Sequence, residues 1–492
     1  MEYNRIVVLG GGTAGWMAAL GIATGLPRAS VTLVESEEVG VVGVGEATFP
    51  SIRAFHQIVG VNEGEFLRAS NGTFKLGIQF RDWRVQGEDY FHTFGDFGPL
   101  AGRDALWGQY QRARGMDVGA LGEQCLPTAM ALGERFCAPA PDRGARFNYA
   151  YHFDAIQYAV YLRGLAVKRG VKRIEGKVVS AARKPDGGVA HLTLADGGKL
   201  EADLFIDCSG FASVLLGRLL EVPFVDFSHL LPVDRAWACP AERTGTALPP
   251  YTRSTALEAG WAWRIPLQNR TGHGHVFSSR YISEERAREQ LLAQMEGKPL
   301  AEPRLLRFTT GHRARFWEHN VVGLGLSTGF LEPLESTSIY LVQSGLGRLM
   351  KVLQHGAPVG KDVVDAYNTG LVRQFERIRD FIILHYCLTE RRDSPFWRDM
   401  ANLALPETLA YKLHVWREAG VLQQYDEEGF DTTSLLAIYA GMGCWPARTD
   451  PTFAEHPLAD SAAALNTRRR HLAELVGTLP THQAYLDLVL GR

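Results

Sequence analysis

The stretch Arg5–Gly25, RIVVLGGGTAGWMAALGIATG, decides the reading of the fold. Ile6 to Leu9 read as a short buried strand, followed by a glycine loop and then a helix. Gly10, Gly12 and Gly15 satisfy the G-x-G-x-x-G spacing. The first allows the tight turn, the second lets a pyrophosphate approach the backbone, and the third lets the helix pack close to the strand. Thr13 and Ala14 sit between them, where the free N–H groups of a helix start meet phosphate charge. A second strand, SVTLVES, runs into Glu35, twenty residues beyond Gly15, where a carboxylate accepts hydrogen bonds from an adenosine ribose. These offsets predict a Rossmann-type α/β domain that binds a dinucleotide. The pattern does not separate FAD from NAD. It occurs once, which argues against two cofactors each on its own Rossmann unit.

Two more segments carry strand-to-turn signals. DLFIDCSGFASVLL is an apolar strand running into Asp207 and then Ser209–Gly210, either an ordinary strand-turn-helix or a second loop toward a long cofactor. In VVGLGLSTGFLEPLESTSIYLVQSGLGRLMKVLQHG, strand Val321–Leu324 enters a Gly/Ser/Thr loop punctuated by Pro333. A helix is predicted from about Thr337, with Ile339, Val342, Leu346, Leu349 and Met350 at helical spacing. Ser336 or Thr337 reads as its N-cap. Glu335 stands just before that cap, where a carboxylate suits the helix dipole and the N–H groups suit an anion.

NGTFKLGIQFRDW alternates strictly, with Phe74, Leu76, Ile78 and Phe80 on one parity and Lys75, Gly77 and Gln79 on the other. That period is the mark of a half-buried strand. By itself it predicts Lys75 on the wet face.

The 492 residues exceed the size at which one core usually stops growing, so more than one subdomain is expected. A net charge of -2 gives no electrostatic reason for a nucleic acid or anionic membrane partner. The cysteines, at 125, 137, 208, 239, 387 and 444, form no C-x-x-C pair, and suggest neither a zinc site nor a disulfide frame. No apolar run approaches the ~18 residues of a membrane span, and glycines interrupt what would be a signal-peptide core. A cytoplasmic, soluble protein is expected. From about Lys351 helical runs alternate with short loops, and the basic cluster NTRRRH reads as a solvated helix face.

GGGTAGWMAA, GVGEATFPS, GTFKLGIQF, YHFDA, DLFIDCSG, GWAWRIPL and GFLEPLESTSIYLV occur in this order. Together they resemble the flavin-dependent halogenases typified by the tryptophan halogenases, over roughly the first 350 residues and again weakly near YAGMGCWP. Trp261-x-Trp263-x-Ile265-Pro266 matches the signature separating these halogenases from flavin hydroxylases of the same fold. The lysine of FK matches the family's catalytic lysine, and the resemblance overturns the wet-face reading of Lys75.

The resemblance implies an FAD-binding halogenase core over 1–350 with substrate-pocket insertions, and a mainly helical subdomain over 351–492 capping the substrate site. Reduced FAD (FADH2), O2 and a halide, chloride or bromide, would yield hypohalous acid that is guided to Lys75. Glu335 would pair with Lys75 or the oxidant and help remove the ring proton. Thr337 and Ser338 match the family's halide site, although Ser338 stands where well-studied tryptophan halogenases have glycine. Glu46, Val178, Leu326 and Ile339 match flavin-binding positions. His92 and Phe94 match a His-x-Phe pair that sandwiches the indole ring, and Phe430 aligns with a stacking tryptophan.

GVLQQYDEEGFDTTSLLAIYAGMGCWP is shorter than its counterpart in tryptophan halogenases, where an inserted loop grips the amino acid's ammonium and carboxylate. An indole or another electron-rich arene therefore fits better than free tryptophan. No nicotinamide domain accompanies the flavin fingerprint, so a separate NAD(P)H-dependent flavin reductase is the expected partner. Monomer and homodimer both remain open. An FAD-dependent aromatic monooxygenase has no need of Lys75. A noncatalytic flavin-binding protein makes no halide-dependent product.

Overall fold

The computed structural model describes residues 3–39, 45–98, 105–139, 147–355, 359–448 and 457–492; Gly43 and Val44, which open the GVGEATFPS motif, lie outside them. The chain forms two compact units, each from three segments. The first comprises Met1–Gly72, Phe153–Asp234 and Leu306–Glu376, and the second Thr73–His152, Arg235–Leu305 and Arg377–Arg492. The first unit's last segment thus runs past the boundary expected at residue 350.

The first unit is built on a six-stranded sheet in the order Trp317–Glu318, Val321–Gly323, Leu204–Asp207, Arg5–Leu9, Ser30–Glu35 and Lys172–Glu175. Every pairing is parallel except the one at the Trp317–Glu318 edge. Parallel strands covered on both faces need continuous apolar sequence, which is why IVVL and LFI carry no alternation. The helix Thr13–Gly25 packs against the helices Ala155–Lys168 and Ser338–Leu353. An antiparallel meander of Val178–Arg183, Val189–Leu194 and Lys199–Glu201 covers part of the sheet. Val189, Leu192 and Leu194 close a core with Val7, Val34, Phe205 and Val321.

The second unit is centred on an extended sheet that includes, in order, Arg235–Ala241, Thr271–Phe277, Gly260–Pro266, Thr252–Leu257, Gly77–Arg81 and Asp89–Thr93. Only the pairing of Thr252–Leu257 with Gly77–Arg81 is parallel among these. Its aromatic core joins Trp83 to Trp397 at 5.6 Å and Trp416 to Tyr439 at 4.7 Å, the latter pair stacked. The expected helical C-terminal region is present as Glu407–Ala419, Thr432–Gly441, Leu458–Thr478 and His482–Leu490. Of NTRRRH, Arg468 donates to the Gln124 carbonyl and Arg469 pairs with Glu123, so part of the basic face serves the unit's own packing. All six cysteines are free. Among the described residues no helix is long and apolar enough to cross a membrane.

Candidate active site

The dinucleotide fingerprint in the first unit has the geometry its spacing predicts. Gly10 adopts φ +111°, and a Cβ there would stand 2.3 Å from the Cys208 carbonyl oxygen. A Cβ on Gly15 would stand 1.8 Å from the Gly10 carbonyl oxygen, so only glycine allows the helix to sit this close. Gly12 is the N-cap of Thr13–Gly25 with no side-chain cap, and no acidic residue occupies the first turn. The start of that helix presents backbone donors that suit a pyrophosphate. Glu35 accepts from Trp16 Nε1 at 3.3 Å and Arg173 Nε at 2.5 Å. Its carboxylate reaches back over the glycine loop, for a Cβ on Gly11 would fall on it. The surroundings thus fit a dinucleotide whose ribose lies at Glu35.

Two other segments close on the same loop. Fully buried Asp207 accepts from the backbone N–H groups of Ser209, Leu215 and Leu216 and fixes the turn carrying Cys208. Ser213 Oγ donates to the Ser327 carbonyl at 2.7 Å. Gly325, at φ +75°, lies so close that a Cβ there would be 2.8 Å from Ala14 Cβ, which brings the turn carrying Leu326 to the fingerprint. The Thr13 hydroxyl donates to the Ala155 carbonyl at 3.3 Å, just after Asp154 of YHFDA caps its helix. Val178 is partly exposed on its strand. Glu46 is also partly exposed, yet enclosed enough that burial pushes its carboxyl up to about 7.

The segment after Phe330 makes one 3-10 turn, Pro333–Glu335, and Ser336 then takes the left-handed conformation at φ +61°. The helix begins at Ser338, with Thr337 as N-cap; the Thr337 side chain makes no capping bond, and its buried Oγ1 has no hydrogen-bond partner among the described residues. The side-chain cap bond expected at this helix start is not made by Thr337, which suits its backbone N–H groups to an anion. Glu335 is buried at 2% exposure, and Ile339 is buried one residue beyond Ser338. Glu332, a second carboxylate on the same loop, is buried as well.

In the second unit the alternating run is two strands rather than one. Thr73–Lys75 pairs with the segment around Tyr151, with Lys75 opposite Ala150. The chain breaks at Leu76, whose N–H donates to the Pro250 carbonyl at 2.7 Å, and Gly77–Arg81 then joins the large sheet. Both parities are buried from Thr73 to Phe80. Lys75 has 0% exposure, and its Nζ lies 5.2 Å from the centre of the Phe94 ring. The period-2 pattern thus fails as a guide to solvent, because the second face meets protein as well.

Two neutral imidazoles hold this strand. Thr73 Oγ1 donates to the Pro266 carbonyl at 2.7 Å and so accepts from His152 Nδ1 at 3.1 Å; His152 Nε2 then accepts from Thr252. Burial, then the charge of Lys75, holds His152 well below the usual histidine range. The Phe74 N–H donates to His482 Nε2 at 3.1 Å, and His482 Nδ1 donates to the Leu248 carbonyl at 2.8 Å. Burial lowers His482 to about 4. The acceptor of the Thr73 hydroxyl is the proline of the tryptophan signature. Trp263 of that signature lies over Gly274, where a Cβ would meet its ring at 2.0 Å.

His92 is buried opposite Ile78, with its ring 5.7 Å from Phe381 and 6.0 Å from Phe430. Phe430 stacks on Phe381 at 3.8 Å and 11°. The structure therefore groups Lys75 with Phe94, and His92 with Phe381 and Phe430.

The tryptophan halogenase family profile matches residues 5–457. A tryptophan 6-halogenase of Streptomyces toxytricini is 35% identical, covering 98% of this chain and 97% of its own. A flavin-dependent halogenase from Brevundimonas sp. BAL3 superposes with a TM-score of 0.94 at 39% identity, covering 99% of both chains. One from Xanthomonas campestris gives 0.95, again at 39% identity and 99% of both chains. The chain belongs to the tryptophan halogenase family. It is a flavin-dependent halogenase, an oxidoreductase.

Sequence reasoning missed several residues of this halogenase. Glu332 differs from Glu335 only in its place along the loop. Phe381 sits in a helix whose apolar pattern reads as core, and His152 and His482 are single histidines in unrelated segments. Only the backbone and hydroxyl groups they bind, distant in sequence, mark the two imidazoles.

Proposed function

We propose that this halogenase uses FADH2, O2 and chloride or bromide to halogenate an indole or another electron-rich arene, with Lys75 as the catalytic amine. The observation that carries the reading is a lysine with no exposure, held on a short strand by two neutral imidazoles, with its ammonium over the Phe94 ring. Burying an ammonium costs several kcal/mol of desolvation, so a position that needed only a strand former would not keep one.

Gly10, Gly12, Thr13, Ala14 and Gly15 would hold the FAD pyrophosphate, with Glu35 on the ribose and Glu46, Val178, Leu326 and Ile339 along the flavin. Bound reduced flavin supplies the two electrons with which O2 is activated to oxidise the halide. Thr337 and Ser338 receive the halide at their helix start. Lys75 directs hypohalous acid at the ring, by donating a hydrogen bond or as a haloamine, while His92, Phe94 and Phe430 orient that ring. Glu335 accepts the proton released when the arene regains aromaticity. A separate NAD(P)H-dependent reductase supplies FADH2.

The test is incubation with chemically reduced FAD, O2 and bromide against indoles, phenols, pyrroles and free tryptophan. Brominated indole with little bromotryptophan is expected. Hydroxylated product without bromination would establish a monooxygenase instead, and product formed by reductase-free protein with NADH alone would remove the partner reductase.

A further inference from the structure

Loop 421–431 of the second unit carries Phe430 and is held more tightly than an exposed connection needs. Lys412, on the helix Glu407–Ala419, forms an ion pair with Glu428, and the two side chains are only 5% and 7% exposed. Glu428 also accepts the Tyr425 N–H at 3.3 Å. Two cations approach the Tyr425 ring, Lys412 at 5.3 Å and Arg377 at 4.5 Å from its centre. Gln424 Nε2 donates to the Phe430 carbonyl at 3.0 Å. Between these contacts Glu427 is forced to φ +67°, a conformation that side chains other than glycine adopt only when their surroundings compel it.

A buried ion pair adds little net stability over apolar packing, and its best-attested use is to fix one arrangement among several. Here the arrangement fixed is that of Phe430, stacked on Phe381 and 6.0 Å from His92. A flat ring inserted between two others needs about two stacking distances, roughly 7 Å. His92 and Phe430 are tilted by 54° at 6.0 Å, within direct ring contact, so a substrate ring enters between them only as the loop yields and the two rings turn toward parallel.

We propose that the Lys412–Glu428 pair is a positioning latch that sets the width and angle of the His92–Phe430 slot. The proposal rests on the assignment of that slot to the aromatic substrate. By restraining the loop, the latch limits how far the two rings part, and so sets the thickness of ring admitted and which carbon of that ring faces the oxidant.

The test compares wild type, Lys412→Met and Lys412→Arg as FAD-loaded protein. Three readouts are used: indole affinity by calorimetry, KM and product regiochemistry in bromination, and bromination of a small 1,3-diketone that needs no slot. For Lys412→Met we expect indole Kd and KM to rise about tenfold, since a shift near 1 Å in a positioned group has effects of at least that size. Several bromoindole isomers should replace one, while diketone bromination stays within twofold. Lys412→Arg keeps the charge and should return indole affinity and regiochemistry to within about twofold of wild type. Unchanged affinity and a single isomer in Lys412→Met would overturn the latch. So would a parallel fall of indole and diketone turnover with the melting temperature, which marks a merely structural pair. Wild-type protein that binds indole but halogenates nothing would sink the proposed function and leave the latch to be judged on affinity. Failure to bind indole or any other of the tested arenes would overturn both.

Discussion

The two units of this halogenase encode their chemistry differently. In the first, the groups proposed to receive the cofactor are mostly backbone: glycines without a Cβ, N–H groups at a helix start with no side-chain cap, and a turn fixed by buried Asp207. In the second they are side chains from segments hundreds of residues apart, such as Thr73, His152, Thr252 and His482 around one lysine strand. A backbone site tolerates little change in shape but depends weakly on side-chain chemistry. A side-chain site fails when one partner is removed, even though the sheet beneath it persists.

The sharpest way to break the contrast is a single methyl group in the first unit. Gly15→Ala sets a Cβ against the Gly10 carbonyl and should weaken FAD binding by at least about 100-fold, read by flavin titration. The near-ultraviolet signature of the second unit's tryptophans should persist. His482→Leu is the converse. It orphans the Phe74 N–H and the Leu248 carbonyl and should cost about 3 kcal/mol in urea unfolding, with flavin affinity within twofold of wild type.

Acid tests the same ring without mutation. His482 has a folded pKa of about 4, below the ordinary 6.5, so the unfolded chain takes up the proton first. Its contribution is complete above pH 6.5 and is lost as pH falls toward 4, by up to about 3 kcal/mol for this ring. Stability measured between pH 7 and 4.5 should fall, and the fall should be shallower in His482→Leu. The smallest expected effect belongs to the aromatic slot, where Phe430→Ala removes the ring that the latch only positions and should raise KM for indole about twentyfold while leaving flavin binding unchanged.

This contrast also explains what could be read from the sequence. The fingerprint from Ile6 to Gly15 and its partner Glu35 were legible because their spacing is fixed by one local turn. Thr337 and Ser338 were legible as a helix start for the same reason. Lys75 was misread by periodicity, since alternation reports two faces but not whether the second meets water. It was recovered only through resemblance, in which the W-x-W-x-I-P strand matters; its Pro266 carbonyl anchors the Thr73 hydroxyl. Phe381, Lys412 and Glu428 carried no signal, because a buried pair of opposite charges looks in sequence like two surface residues of a helix and a loop.

The most direct measurement of the central claim is single-turnover bromination of indole by Lys75→Met, given chemically reduced FAD, O2 and bromide. The account predicts that bromoindole formation drops at least about 1000-fold while flavin binds and reoxidises as in wild type. Bromoindole formed within about tenfold of the wild-type rate would show that the buried amine takes no part in the chemistry.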